Sequence, residues 1–219
     1  MLEPPGNLAS RFERAAVVAG ATRQCRPIFD ELVDRYGEAH RHYHTLTHID
    51  ACLSWLDWFW AFAERPEVVE LALWFHDAVY DPESSDNERD SAALAREQLG
   101  ELGIAPGTAD IVARHIEATK AHVPVGSDSA LVLDLDLSIL GARRSAFERF
   151  EAQIRTEYAH VPEPAFCEGR RRVLESFLGR PRIYQVAPIR EELEARARGN
   201  LARRIAELTG DQVSLSVSS

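Results

Sequence analysis

The stretch from Val68 to Phe75 constrains this chain more than any other. Apart from Glu70, every residue in it is apolar. A helix built from it is apolar on all faces, and such a helix has to lie inside the protein, enclosed by other elements. Directly after it come His76 and Asp77, followed by Ala78-Val79-Tyr80-Asp81. An imidazole and a carboxylate placed at an apolar interior are costly without partners. His76 and Asp77 must therefore pair with each other, with other polar groups, or with a metal ion. The chain supplies two further groups of this kind in apolar helical contexts, His48 before the stretch and Asp136 after it.

The remainder reads as helix after helix. A first helix runs from about residue 10, with Ser10 as its cap, and a second over about 22–36, closed by Gly37. Thr47 is a capping candidate for a helix whose stripe is Ile49, Cys52, Leu53, Leu56, Phe59 and Trp60. Pro66 suits the first turn of the apolar helix, Asp86 a cap further on, and Pro106 the opening of another helix. Leu131 to Leu140 is ambiguous, because Leu131, Leu133, Leu135 and Leu137 alternate with Val132, Asp134, Asp136 and Ser138 as a strand would. No second strand candidate exists to pair with it, and a lone strand cannot satisfy its backbone. Helix is the better assignment, and it puts Asp136 on the buried face. Three more helices follow at about 144–159, 163–178 and 188–208, and 211–219 reads as a frayed tail. The expected fold is all-α, a single-domain helical bundle over 1–210, with a metal-site core over about 40–141 and C-terminal helices over 143–208.

Composition narrows the partners. With 45% hydrophobic and 27% charged residues, the chain of 219 residues can build a normal globular core. A formal charge of -10 argues against nucleic acid or an anionic membrane as main partner, though not against a small phosphorylated molecule. Three widely spaced cysteines, Cys25, Cys52 and Cys167, fit a reducing cytoplasm better than a disulfide framework or a zinc–thiolate site. The first residues carry no secretion signal and no apolar run reaches about 20 residues, so a cytoplasmic location is expected. Homodimer formation stays open.

His48, His76, Asp77 and Asp136 make a mixed nitrogen and oxygen donor set. Such a set suits one divalent ion with open positions (Mn, Fe, Co, Ni, Mg or Zn) more than a closed structural site. In a helical bundle, inward side chains on facing helices can supply it.

At these residues the chain resembles the HD superfamily of metal-dependent phosphohydrolases, whose ordered pattern His…His-Asp…Asp is carried here by His48, His76-Asp77 and Asp136. More narrowly it resembles a small bacterial branch of predicted HD phosphohydrolases. That closer match rests on Arg41-His42-Tyr43-His44 with Thr47-His48-Ile49, on Phe75 to Asp81, and on Asn87-Glu88 with Ser91-Ala92. It extends to Ala118-Thr119-Lys120 with His122, Asp134 to Gly141, Ile183-Tyr184, and Ala197-Arg198 with Asn200-Leu201. The resemblance covers about 35–208 and implies an HD-type bundle. Where the similar guanosine-tetraphosphate hydrolases carry an acidic pair, this chain has Tyr80-Asp81, which speaks against that particular activity.

What the resemblance implies is hydrolysis of a small phosphorylated, nucleotide-like substrate by metal-activated water. Asp77 or Glu88 would take the proton, and Lys120 with Arg41 would neutralise phosphoryl charge. His122, His115, His44 and Arg41 are the candidates for a second ion or for substrate contact. His115 and His122 share a face if their helix persists, and each has a bland alternative, as a core or a loop histidine. Arg170-Arg171-Arg172 reads as a solvated helix face. Two rivals remain: a di-iron oxygenase using His122, His115 and a bridging Asp77, and a non-catalytic metal- or nucleotide-binding module.

Overall fold

The computed structural model describes residues 5–210, with side chains from Leu8 onward. Among these the protein is all-helical, with ten α-helices and no strand. They fall into two compact units, one ending at Asp136 and the other beginning at Leu137.

The first unit holds α1 (Pro5–Val18), α2 (Arg26–Tyr36), α3 (Leu46–Phe59), α4 (Pro66–Phe75), α5 (Asn87–Glu101), α6 (Pro106–Thr119) and α7 (Ser127–Asp136). α4 is its axis, packing against α1, α3, α5, α6 and α7. Val68, Val69 and every residue from Leu71 to Phe75 are fully buried, as an all-apolar helix requires. The exception, Glu70, is matched by Arg11 at 3.1 Å, which also binds Asp57 and the Leu53 carbonyl. Around Trp74, the rings of Phe12 and Phe29 meet it edge-on at 5.7 Å and 5.9 Å. That is a geometry which aromatic quadrupoles favour.

The ambiguous segment is helical to Asp136 and then tightens into a 3₁₀ turn, Leu137–Gly141, which opens the second unit. There α8 (Arg144–Glu157), α9 (Glu163–Leu178) and α10 (Ala187–Thr209) follow. Tyr184 donates to the Leu137 carbonyl, and Asn200 to those of Leu140 and Ala142, so the turn's free carbonyls find donors. Gly141 is required, because a Cβ there would lie 2.6 Å from that of Leu193.

Several local expectations need correcting. α1 begins before Ser10, which is therefore interior rather than a cap. α2 starts at Arg26, with Pro27 in its first turn, rather than near residue 22. Thr45, not Thr47, is the N-cap of α3, because its extended backbone precedes the first helical residue. Asp86 stands at the N-cap of α5 but its side chain makes no capping bond. The tail expected to fray, 211–219, lies outside the described residues. No helix among the described residues is long and apolar enough to cross a membrane.

Candidate metal centre

Three helices of the first unit bring their ends together. His48 is in the first turn of α3, His76 caps the C-terminus of α4, and Asp136 is the last residue of α7. His48 Nε2 lies 3.1 Å from His76 Nε2 and 3.2 Å from Asp136 Oδ1, and His76 Nε2 lies 3.5 Å from the same oxygen. These three buried or half-buried residues, with donor atoms all within 4.8 Å of one another, could hold a metal ion. Ligands about 2.0–2.1 Å from one ion stand roughly 2.8–3.4 Å apart in octahedral or tetrahedral geometry, which is close to the spacing seen. Asp77 stands at the rim, its Oδ2 3.1 Å from His76 Nε2 and 3.7 Å from His48 Nε2.

The orientation of each group has a cause. His76 Nδ1 donates to the Leu73 carbonyl at 2.9 Å. That carbonyl is one of those that the end of α4 leaves without an intrahelical donor. The neutral ring then presents its lone pair on Nε2, toward the cluster. Asp136 turns Oδ1 toward the two imidazoles while Oδ2 meets His122 Nε2 at 3.2 Å. His122 does this from a left-handed backbone, with φ at 48°. For a non-glycine residue that is a sparsely populated conformation.

The electrostatics ask for positive charge. The C-terminus of α4, the negative end of its dipole, meets two carboxylates here, and the first turn of α3 brings a positive end. Burial alone would lower the pKa of His76, but Asp77 and Asp136 raise it well above the ordinary imidazole value. Burial would raise Asp136 and Asp77, yet the surrounding imidazoles hold both below the usual carboxylate range. Either protons on the histidines or a metal cation can satisfy such a pocket. Burial, then the charges of Asp136 and Asp77, push the Cys52 thiol well up. In the metal-free protein it is therefore a thiol, and its sulfur, 3.7 Å from His48 Nδ1, is not among the three converging donors. The donor set is nitrogen and oxygen.

The remaining candidates divide. His44 flanks the centre: its ring stacks on Tyr80 at 4.1 Å, lies edge-on to His48 at 6.3 Å, and its charge joins that of His76 in depressing Asp77. His42 is exposed. Glu88 is half-exposed in the first turn of α5, and no hydrogen bond or ion pair joins it to the cluster. The Lys120 ammonium is exposed and donates to the Ser85 carbonyl. Arg41 cannot be a phosphate contact in this arrangement, because its fully buried guanidinium is committed to Glu38 and to three backbone carbonyls.

His115 is a further correction. α6 ends at Thr119 and a turn with left-handed backbone at His122 follows, so the seven-residue spacing implies no shared helix face. The charges that act on His115 are those of Asp128, near the start of α7, and of Arg114, its neighbour in the chain. Asp128 and Asp136 are separated by about 12 Å of helix, at the α-helical rise per residue. His115 is buried with neither ring nitrogen hydrogen-bonded, and burial lowers its pKa.

The turn after His76-Asp77 is held by residues whose roles the sequence did not announce. Ser91 Oγ both donates to the Val79 carbonyl and accepts from its N–H, and Asn87 does the same for Asp81. Their spacing of four on α5 was the available signal. Tyr36 carried none. Compared with family models, curated proteins and solved structures, the chain finds no match.

Proposed function

We propose that this chain is a metal-dependent phosphohydrolase of the HD type, acting on a small phosphorylated molecule. The observation that carries the reading is the meeting of His48, His76 and Asp136 at ligand spacing, in the chain order His…His-Asp…Asp. A divalent ion in this donor set supplies a Lewis acid for a phosphoryl oxygen and acidifies water. The chain's own residues do the rest. His48 and His76 present Nε2, and Asp136 presents one oxygen while His122 steadies the other. Asp77, whose Oδ2 is 3.1 Å from His76 Nε2, would complete the ligand set, and its other oxygen would accept the proton. Glu88 remains a second candidate for that proton on chemistry alone. Arg41 has no part in phosphate binding in this reading, its buried guanidinium being engaged with backbone carbonyls, whereas the exposed Lys120 stays available to phosphate.

The oxygenase rival loses support because His115, one of the histidines it draws on, is buried with both ring nitrogens unbonded and is not in the group of converging donors. Metal analysis of purified protein, combined with a phosphatase screen over small phosphoesters and nucleotides, tests the proposal. One redox-inert ion per chain with turnover is the expected result. Two irons with oxygen uptake would favour the oxygenase, and binding without turnover a sensing module.

A further inference from the structure

We infer that Arg41 is a positioning residue that sets the geometry of the metal centre through the backbone of Asp77 and Ala78. This rests on the metal reading above.

A helix leaves its last carbonyls without intrahelical donors, and a buried helix end must find others. At the end of α4 each has been found. Leu73 accepts from the His76 ring at 2.9 Å, Trp74 from the Tyr36 hydroxyl at 2.9 Å, and Phe75 from the Ala78 N–H at 3.0 Å. Two carbonyls further on, those of Asp77 and Ala78, accept from Arg41 Nη1 at 2.6 Å and Nη2 at 3.1 Å. The same Nη1 reaches the His44 carbonyl at 3.2 Å, and Nε donates to Glu38 at 2.9 Å. The rings of Tyr36 and Tyr80 lie 5.2 Å and 5.5 Å from the guanidinium carbon. Both are close enough for cation–π attraction. One planar cation therefore ties the segment bearing His44 to the turn bearing His76-Asp77.

The fork is what matters. A lysine carries the same charge but offers a compact point donor, which cannot reach two successive carbonyls and a third in one plane. Groups that orient metal ligands typically cost about 10- to 100-fold in affinity when changed.

The test is cobalt(II) titration of the full chain, read by visible absorption, for wild type, Arg41→Lys, Glu38→Ala and Arg11→Lys. Arg11 is the control, a largely buried arginine of the same unit that also binds a carbonyl and two carboxylates but does not contact the cluster. Arg41→Lys, folded by circular dichroism, should bind cobalt about tenfold or more weakly and show shifted d–d bands. Arg11→Lys should match wild type in both. Unchanged affinity and spectrum in Arg41→Lys overturns the inference, as does an equal loss in Arg11→Lys. If Arg41→Lys does not fold, Glu38→Ala decides, since it removes the acceptor on one edge of the guanidinium: a several-fold loss of affinity supports the inference and none overturns it. A wild-type chain that takes up no cobalt overturns the metal reading itself, whatever the variants do.

Discussion

Each of the two units buries carboxylate charge, and they do so in opposite ways. In the second, Glu151 is buried between two arginines, Arg170 and Arg204, with its Oε2 3.0 Å from Arg204 Nε. That cluster carries its own permanent cations and is complete. In the first, Asp77 and Asp136 face His48, His76 and His122, which are cationic only when protonated. A carboxylate buried against arginine is structural, because an arginine is always charged and leaves no room for another cation. A carboxylate buried against imidazole is conditional: the same nitrogens can hold a proton or ligate a metal. The second arrangement is the one that can do chemistry.

The sharpest way to break the comparison is to remove one acid from each. Asp136→Asn should weaken cobalt or manganese affinity by more than about 100-fold, beyond what outer groups cost, and abolish metal-dependent turnover. Glu151→Ala should leave metal affinity unchanged but cost about 3 kcal/mol of stability, because it strands two partly buried guanidinium groups. Calorimetric metal titration and urea unfolding of both variants decide it. A loss of metal affinity in Glu151→Ala, or none in Asp136→Asn, would remove the distinction.

A pH series sharpens the same contrast. In the metal-free protein the raised pKa of His76 means that its stabilisation is fully present below the ordinary imidazole value and is lost as pH rises through the folded value. Asp136 and Asp77 are depressed, so theirs is present above the ordinary carboxylate value and is lost as pH falls. The cluster should therefore stabilise the metal-free chain most between about pH 4 and 6.5. Metal has to displace the His76 proton, so affinity should rise by up to about tenfold per pH unit across that titration. Cobalt titrations at pH 6, 7 and 8 measure it, and a flat profile would mean that His76 is no ligand.

Much of this was legible in the sequence because it rests on pattern. An apolar run with no polar face can only be a buried helix, and Asp136 could only be helical once no strand existed to pair with Leu131–Leu140. Residue type and order singled out His48, His76 and Asp136. What could not be read depends on where the chain turns. The seven-residue step from His115 to His122 has meaning only on an unbroken helix, and α6 stops at Thr119. Arg41 has the chemistry of a phosphate contact, and only the fold shows that backbone carbonyls surround it. Ser10 has the chemistry of a cap in a helix that had already begun.

The smallest expected effect concerns a second pair, His76 and His115, both buried and oppositely shifted. His76 has an acceptor on one nitrogen and acids at the other, whereas His115 has no hydrogen-bond partner on either. A buried polar group left unpaired costs about 1–3 kcal/mol, and leucine fills a similar volume without that penalty. His115→Leu should therefore stabilise the chain, by about 1 kcal/mol once some repacking strain is allowed for. The gain should depend on pH with a definite sign. Burial lowers the pKa of His115, so the unfolded chain takes up a proton at a higher pH than the folded one, and stability is lost as pH falls below the ordinary imidazole value. Leucine abolishes that loss, so the advantage of the variant should be greater at pH 5 than at pH 8 in urea unfolding. Its cobalt affinity should equal that of wild type, because His115 is not among the converging donors His48, His76 and Asp136. A variant that is less stable at both pH values, or that binds cobalt more weakly, would return His115 to the metal centre and undo the contrast between the two histidines.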